Sequence, residues 1–142
     1  MADGLCAARK VELGMRVIGA TTKAFVSYSS TDEIRNFPEL YNLPVQIPIR
    51  APNGIVIADH WRDFMDGTIA ISLVTANVTR SYNTTRFWTF SALWGSYDAA
   101  SNCSNGTSTA GFGQTWDINP TIGISNISCS NVANSELMCL TY

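Results

Sequence analysis

An α+β fold built from short helices, a mixed sheet and long loops is what this sequence predicts, on three observations. Helical periodicity is confined to the first half, where apolar residues recur three and four apart and stop at Gly. The second half alternates β-branched and aromatic runs with Asn, Gly and Ser clusters, the pattern of short strands joined by loops. The chain has 142 residues, about one domain, so 1–142 reads as a single unit. With 46% hydrophobic and 14% charged residues it has ample core material, which excludes disorder, coiled coil and collagen.

Residues 3–13 read as an amphipathic helix, with Asp3 as N-cap, Leu5, Cys6, Arg9 and Leu13 along it and Gly14 as its stop. Cys6 then faces inward. Strand material follows at 16–19 and 23–28. One helical turn is expected over 31–36, ended by Pro38. Four of the five prolines (Pro38, Pro44, Pro48, Pro52) fall in 38–54, so this stretch reads as extended loop that wraps the core through Leu40, Leu43, Val45, Ile47 and Ile49. Residues 59–66 form a helix, because Trp61, Phe64 and Met65 share a face and Gly67 follows. Its other face carries Asp59, His60, Arg62, Asp63 and Asp66. Strands are expected at 68–74, 86–90, 114–118 and 136–142, with a polar loop over 102–113.

Charge sets further bounds. Eleven acidic against nine basic side chains give a formal net charge of −2, which supplies no bulk attraction to nucleic acid or anionic lipid. All nine basic residues lie in the first 86 positions, and the rest carries only Asp98, Asp117 and Glu136. That C-terminal part is solubilised by Ser, Thr and Asn. No stretch has the roughly 18 apolar residues of a membrane span, and no signal-peptide pattern precedes Cys6, so export is expected to be encoded upstream.

Four cysteines (Cys6, Cys103, Cys129, Cys139) with one histidine make no zinc spacing, and an even count points to disulfides and an oxidising compartment. Of three connectivities, the nested one, Cys6 to Cys139 and Cys103 to Cys129, ties the first helix to the last strand and staples the long loop. In the chain-entropy picture the two closures contribute about 5 and about 3.5 kcal/mol.

No catalytic constellation emerges. Asp59, Asp63 and Asp66 have the spacing for a calcium ion or a carboxylate pair, and the helical pattern assigns them to a solvated face. His60 has neither a serine elbow nor a cysteine nucleophile beside it. The chain therefore reads as a non-enzyme without metal or cofactor. Trp88 is assigned to the core, whereas Trp94 and Tyr97 stay open between packing and a binding platform. Five N-x-S/T sequons, at Asn77, Asn83, Asn102, Asn105 and Asn126, add little beyond composition.

Taken in order, Asp3-Gly4-Leu5-Cys6, Thr22-Lys23-Ala24-Phe25-Val26-Ser27, Ile57-Ala58-Asp59-His60-Trp61 leading to Asp66-Gly67-Thr68, Phe87-Trp88-Thr89 before Asn102-Cys103, Ser128-Cys129, and Leu137-Met138-Cys139-Leu140 resemble the endostatin family. They are closer still to the leptospiral endostatin-like surface lipoproteins. The resemblance spans nearly the whole chain. It implies a C-type-lectin-like α+β fold with the nested disulfides. It also implies an adhesin, extracellular or on the outer-membrane surface and anchored through a lipidated N-terminus. The partners it implies are host laminin and fibronectin and, in some members, plasminogen or complement regulators such as factor H.

The zinc-binding N-terminal histidines of collagen endostatin have no counterpart here, and Lys10 and Lys23 are the only lysines for plasminogen. Loops concentrate binding residues. The candidates are Trp94 and Tyr97 in such a loop, with Arg35, Arg50 and Arg62 from the basic first half. The alternative is a lectin-like glycan binder using Asp117, Asn119 or the 102–113 loop, with calcium.

Overall fold

The computed structural model describes residues 2–12, 21–79, 86–131 and 135–142. The elements run α1 (Ala2–Glu12), β1 (Thr22–Ala24), α2 (Phe37–Tyr41), β2 (Ile49–Arg50), β3 (Val56–Ala58), α3 (Trp61–Phe64), β4 (Arg86–Trp88), α4 (Cys103–Gly106), β5 (Phe112–Asp117), β6 (Ile124–Ser128), β7 (Ser135–Leu137) and β8 (Cys139–Thr141). Single 3-10 turns occupy Ile34–Asn36 and Leu93–Gly95. This is the expected mixed α+β architecture with short helices.

The main sheet has the order β6-β5-β4-β7, antiparallel except for the parallel β4–β7 pair. Its register sets Phe87 opposite Trp116. Phe25 lies against both rings, at 6.1 and 5.6 Å between centroids, and also against Phe37, Trp61 and Phe64. Most of these contacts are edge-to-face, the arrangement that ring quadrupoles favour. Helix α3 supplies Phe64 and Trp61 to this cluster, as its periodicity predicts.

A second cluster forms around the disulfides. Cys6–Cys139 and Cys103–Cys129 are both present, with Cα atoms 5.5 and 5.6 Å apart. Cys6, Cys103 and Cys129 are buried with Ala24, Val26 and Phe90. The first bridge joins α1 to β8, which pairs antiparallel with β1.

Several expected elements differ. The 16–19 strand and Leu13 lie outside the described residues. The 23–28 strand is cut to β1, because Phe25, Val26 and Ser27 send their amides to Met138, Ala24 and Thr89 rather than to one partner. The 136–142 strand breaks at Met138 into β7 and β8, which serve different sheets. No strand forms over 68–74: Ile69, Ala70 and Leu73 donate to Pro120, Ile57 and Ile118 in turn, so Ile69 and Leu73 are buried without a ladder. Pro38 does not end a helix but opens α2, where its missing N–H costs nothing. The 38–54 stretch also carries β2, which pairs with β3, so it is less irregular than its prolines suggest. Asp3 does not cap α1; its carboxylate accepts from Lys23 Nζ at 3.2 Å and from the Ala24 N–H at 2.8 Å.

Candidate functional site

Trp94 stands at the tip of a loop closed by two backbone bonds, Ala92 N–H to Ser96 O at 2.9 Å and Asp98 N–H to Phe90 O at 2.9 Å. Its side chain is exposed (62%), while the other large aromatic residues around it are buried or half-buried. The backbone there is left-handed, with φ of 65° at Trp94 and 81° at Gly95. For a residue with a Cβ that conformation costs about 1–2 kcal/mol, so the surrounding contacts must hold it. They do so from both sides. Gly95 is wedged so closely that a Cβ would come within 2.8 Å of the Arg35 N and of Met65 Cε. Beneath it Ser27 Oγ bonds Ser91 Oγ at 2.6 Å and accepts the Ile34 N–H at 2.9 Å, while Trp116 Nε1 donates to Ser91 O at 3.1 Å. The display of Trp94 is thus built on the core.

The neighbouring loop is strained as well. In α4 the residues Cys103, Ser104, Asn105 and Gly106 all have positive φ (53°, 52°, 56° and 75°), so the turn winds left-handed. Three of them carry a Cβ, which amounts to about 3–6 kcal/mol of local strain. The Cys103–Cys129 bridge holds the turn on one side. On the other, the Tyr97 hydroxyl donates to Asn105 Oδ1 at 2.8 Å and accepts from Asn102 Nδ2 at 2.7 Å. Asn102 Oδ1 in turn caps the Asn105 N–H at 3.0 Å. Five of the seven described non-glycine residues with positive φ fall within 90–105. Strain of this kind concentrates where a surface is preorganised for function.

No protein-family model matches this chain, and no curated protein does.

Of the five candidate binding residues, the structure gathers three. Tyr97 N–H donates to Glu33 Oε1 at 2.9 Å, and Arg35 Nε donates to Glu33 Oε2 at 2.5 Å. Glu33 is buried (4%), so one carboxylate neutralises Arg35 and ties its loop to the Trp94 loop. Arg50 lies elsewhere, on the β2–β3 hairpin, donating to Gly54 O at 3.0 Å. Arg62 is exposed on α3, whose capping residue Met65 packs against Gly95. Trp88, assigned to the core, is half-buried and packs on Phe90 in the disulfide cluster.

The other candidate carboxylates have local duties. His60 Nδ1 accepts the Asp63 N–H at 2.9 Å and Asp63 Oδ2 accepts the Asp59 N–H at 2.8 Å, a reciprocal cap that starts α3. Asp117 Oδ1 accepts the Asn119 N–H at 3.2 Å, and its Oδ2 fills the space a Cβ on Gly123 would need.

Sequence reasoning missed one cluster entirely. Lys23 is buried (8%), its ammonium 4.4, 5.3 and 5.7 Å from the ring centroids of Tyr41, Tyr28 and Phe37, and paired with Asp3 at 3.2 Å and Asp32 at 3.6 Å. Burial works against its charge, yet Tyr41, Asp3 and Asp32 together outweigh it, so its pKa is raised. Burial likewise raises the hydroxyls of Tyr28 and Tyr41. Tyr41 donates to Asp32 Oδ1 at 2.8 Å, and Asp32 adjoins Glu33 in sequence, so this cluster anchors the loop that holds Arg35 and Tyr97.

Proposed function

We propose that this chain is a non-catalytic adhesin domain of endostatin-like, C-type-lectin-like fold. It works outside the cell or at an outer-membrane surface and binds host extracellular matrix proteins, laminin and fibronectin first. The observation that carries the reading is Trp94. A strained backbone, a wedged glycine and a buried serine pair hold a large aromatic ring out in solvent, on a loop that Glu33 ties to Arg35 through the Tyr97 N–H. Trp, Tyr and Arg are the residue types that dominate binding energy at protein surfaces. Two nested disulfides suit an oxidising compartment, and no described helix is long and apolar enough to cross a membrane.

Complement factor H and plasminogen are the further partners of this reading. Plasminogen ranks below the others, because capture through lysine would rest on Lys10 once Lys23 is buried. The test is saturable binding of the disulfide-intact domain to immobilised laminin, fibronectin, factor H and plasminogen across a salt titration. Because Glu33 neutralises Arg35, binding is expected to persist with little loss at raised salt. Absence of saturable binding to all four at micromolar concentration overturns the reading.

A further inference from the structure

We infer that the Trp94 loop takes the apolar face of a neutral hexopyranose, so that matrix glycoproteins are held through their glycans. This rests on the adhesin reading and narrows its ligand. Between Ala92 and Gly111, Trp94 (62%) is the only exposed large apolar side chain among the described residues, and Phe112 (59%) follows at the start of β5. A lone flat ring on a fixed backbone matches the C–H face of one pyranose, with little conformational entropy lost on contact. One pyranose face needs only this ring, far less than the about 800 Å² that each partner covers in a standard protein interface.

The rim has the chemistry of sugar hydroxyls. Ser96, Tyr97, Asn102, Ser104 and Asn105 surround the loop in sequence, and Asp98 is the only charged side chain from Ser91 to Gly113. Asn105 commits its Oδ1 to the Tyr97 hydroxyl, which orients the amide. Its two Nδ2 hydrogens have no protein acceptor among the described residues and suit ring and hydroxyl oxygens. Arg35 is paired through Nε with Glu33, which offsets its charge toward an acidic ligand.

The experiment measures binding of the disulfide-intact domain to laminin and fibronectin, each native and enzymatically deglycosylated, with EDTA present throughout. Wild type is compared with Trp94→Gly and Trp94→Phe. Glycine suits a φ of 65°, so the first variant removes the ring without burdening the fold, which a melting curve verifies. Deglycosylation and Trp94→Gly are each expected to weaken binding roughly tenfold or more, with Trp94→Phe in between. Deglycosylated proteins that bind as tightly as native ones overturn the glycan inference and leave the adhesin reading standing. A loss on deglycosylation that Trp94→Gly does not reproduce overturns the assignment to this loop. If neither form binds, both readings fall.

Discussion

Ser27 and Ser91 meet hydroxyl to hydroxyl at 2.6 Å where solvent does not reach either side chain. The pair joins the strand-end segment after β1 to the base of the Trp94 loop, and Ser27 also satisfies the Ile34 N–H. Ser27→Ala removes that acceptor and leaves a buried donor without it, a loss of about 1–3 kcal/mol. Chemical denaturation measures it. The same variant is expected to lower hydrogen-exchange protection at Ile34 and Gly95. A change below about 0.5 kcal/mol would show that the hydroxyl pair does not hold the loop.

The Lys23 cluster predicts the alkaline limit of stability. A base whose pKa rises on folding stabilises the fold below its ordinary value of 10.5 and loses that contribution as pH climbs toward the folded value. Tyr28 and Tyr41, raised from 10.0 by burial, act in the same direction because the unfolded phenols ionise first. The melting temperature is therefore expected to be insensitive to this cluster from about pH 7 to 9 and to fall above about pH 10. Lys23→Met leaves Asp3 and Asp32 without their shared cation. Since Asp3 keeps 44% of its side-chain exposure, the loss lies between the surface and buried limits, about 2–3 kcal/mol. A wild-type curve that already declines between about pH 7 and 9, with Lys23→Met following it, contradicts the assignment.

How much of this was legible in the sequence depends on the range of the cause. Helix α1 with Cys6 inward, α3, the position of β4 and the nested disulfides follow from local periodicity and cysteine placement. Strand β6 did not, because Ile124-Ser125-Asn126-Ile127-Ser128 is too short and too polar to stand out, and it exists by pairing with β5. The apolar residues at 69–74 look like a strand, yet their backbone partners sit on three separate segments. Lys23 reads only as part of the 23–28 strand material, and only the fold brings Asp3, Tyr28, Asp32, Phe37 and Tyr41 around it. At the site, Trp94 and Tyr97 were visible as aromatic residues in a loop, but Glu33, Ser27 and Ser91, which fix their placement, carry no local signal.

Gly95 meets the Arg35 backbone directly beneath Trp94. With φ at 81° and a Cβ position 2.8 Å from the Arg35 backbone nitrogen, Gly95→Ala meets both a conformational and a steric penalty. Together they amount to about 2–4 kcal/mol. Since the Arg35 backbone cannot yield without pulling on Glu33, ligand binding is expected to fall along with stability. Urea titration and the matrix-protein binding assay read the two effects. An alanine variant with unchanged midpoint would mean the loop shifts freely, against the picture of a fixed display.

Ser104 offers the opposite test, because the strain there can be relieved without touching a contact. The residue sits at φ 52° and ψ 52°, its side chain is exposed, and its carbonyl accepts from Thr107 whatever the side chain. Ser104→Gly exchanges the left-handed penalty for a smaller entropic one, a net gain of up to about 1 kcal/mol, or about 2–4 °C in melting temperature. Cutting the staple instead, with Cys103→Ser and Cys129→Ser together, removes about 3.5 kcal/mol in the chain-entropy picture and frees the turn to unwind toward right-handed geometry. Combining the glycine with the cut separates strain from closure. If the left-handed turn is held by the bridge, the glycine gains less in the cut background, since the relaxed turn has already shed the strain at Ser104. Equal gains in both backgrounds would mean that Tyr97, Asn102 and Asn105 hold the turn on their own.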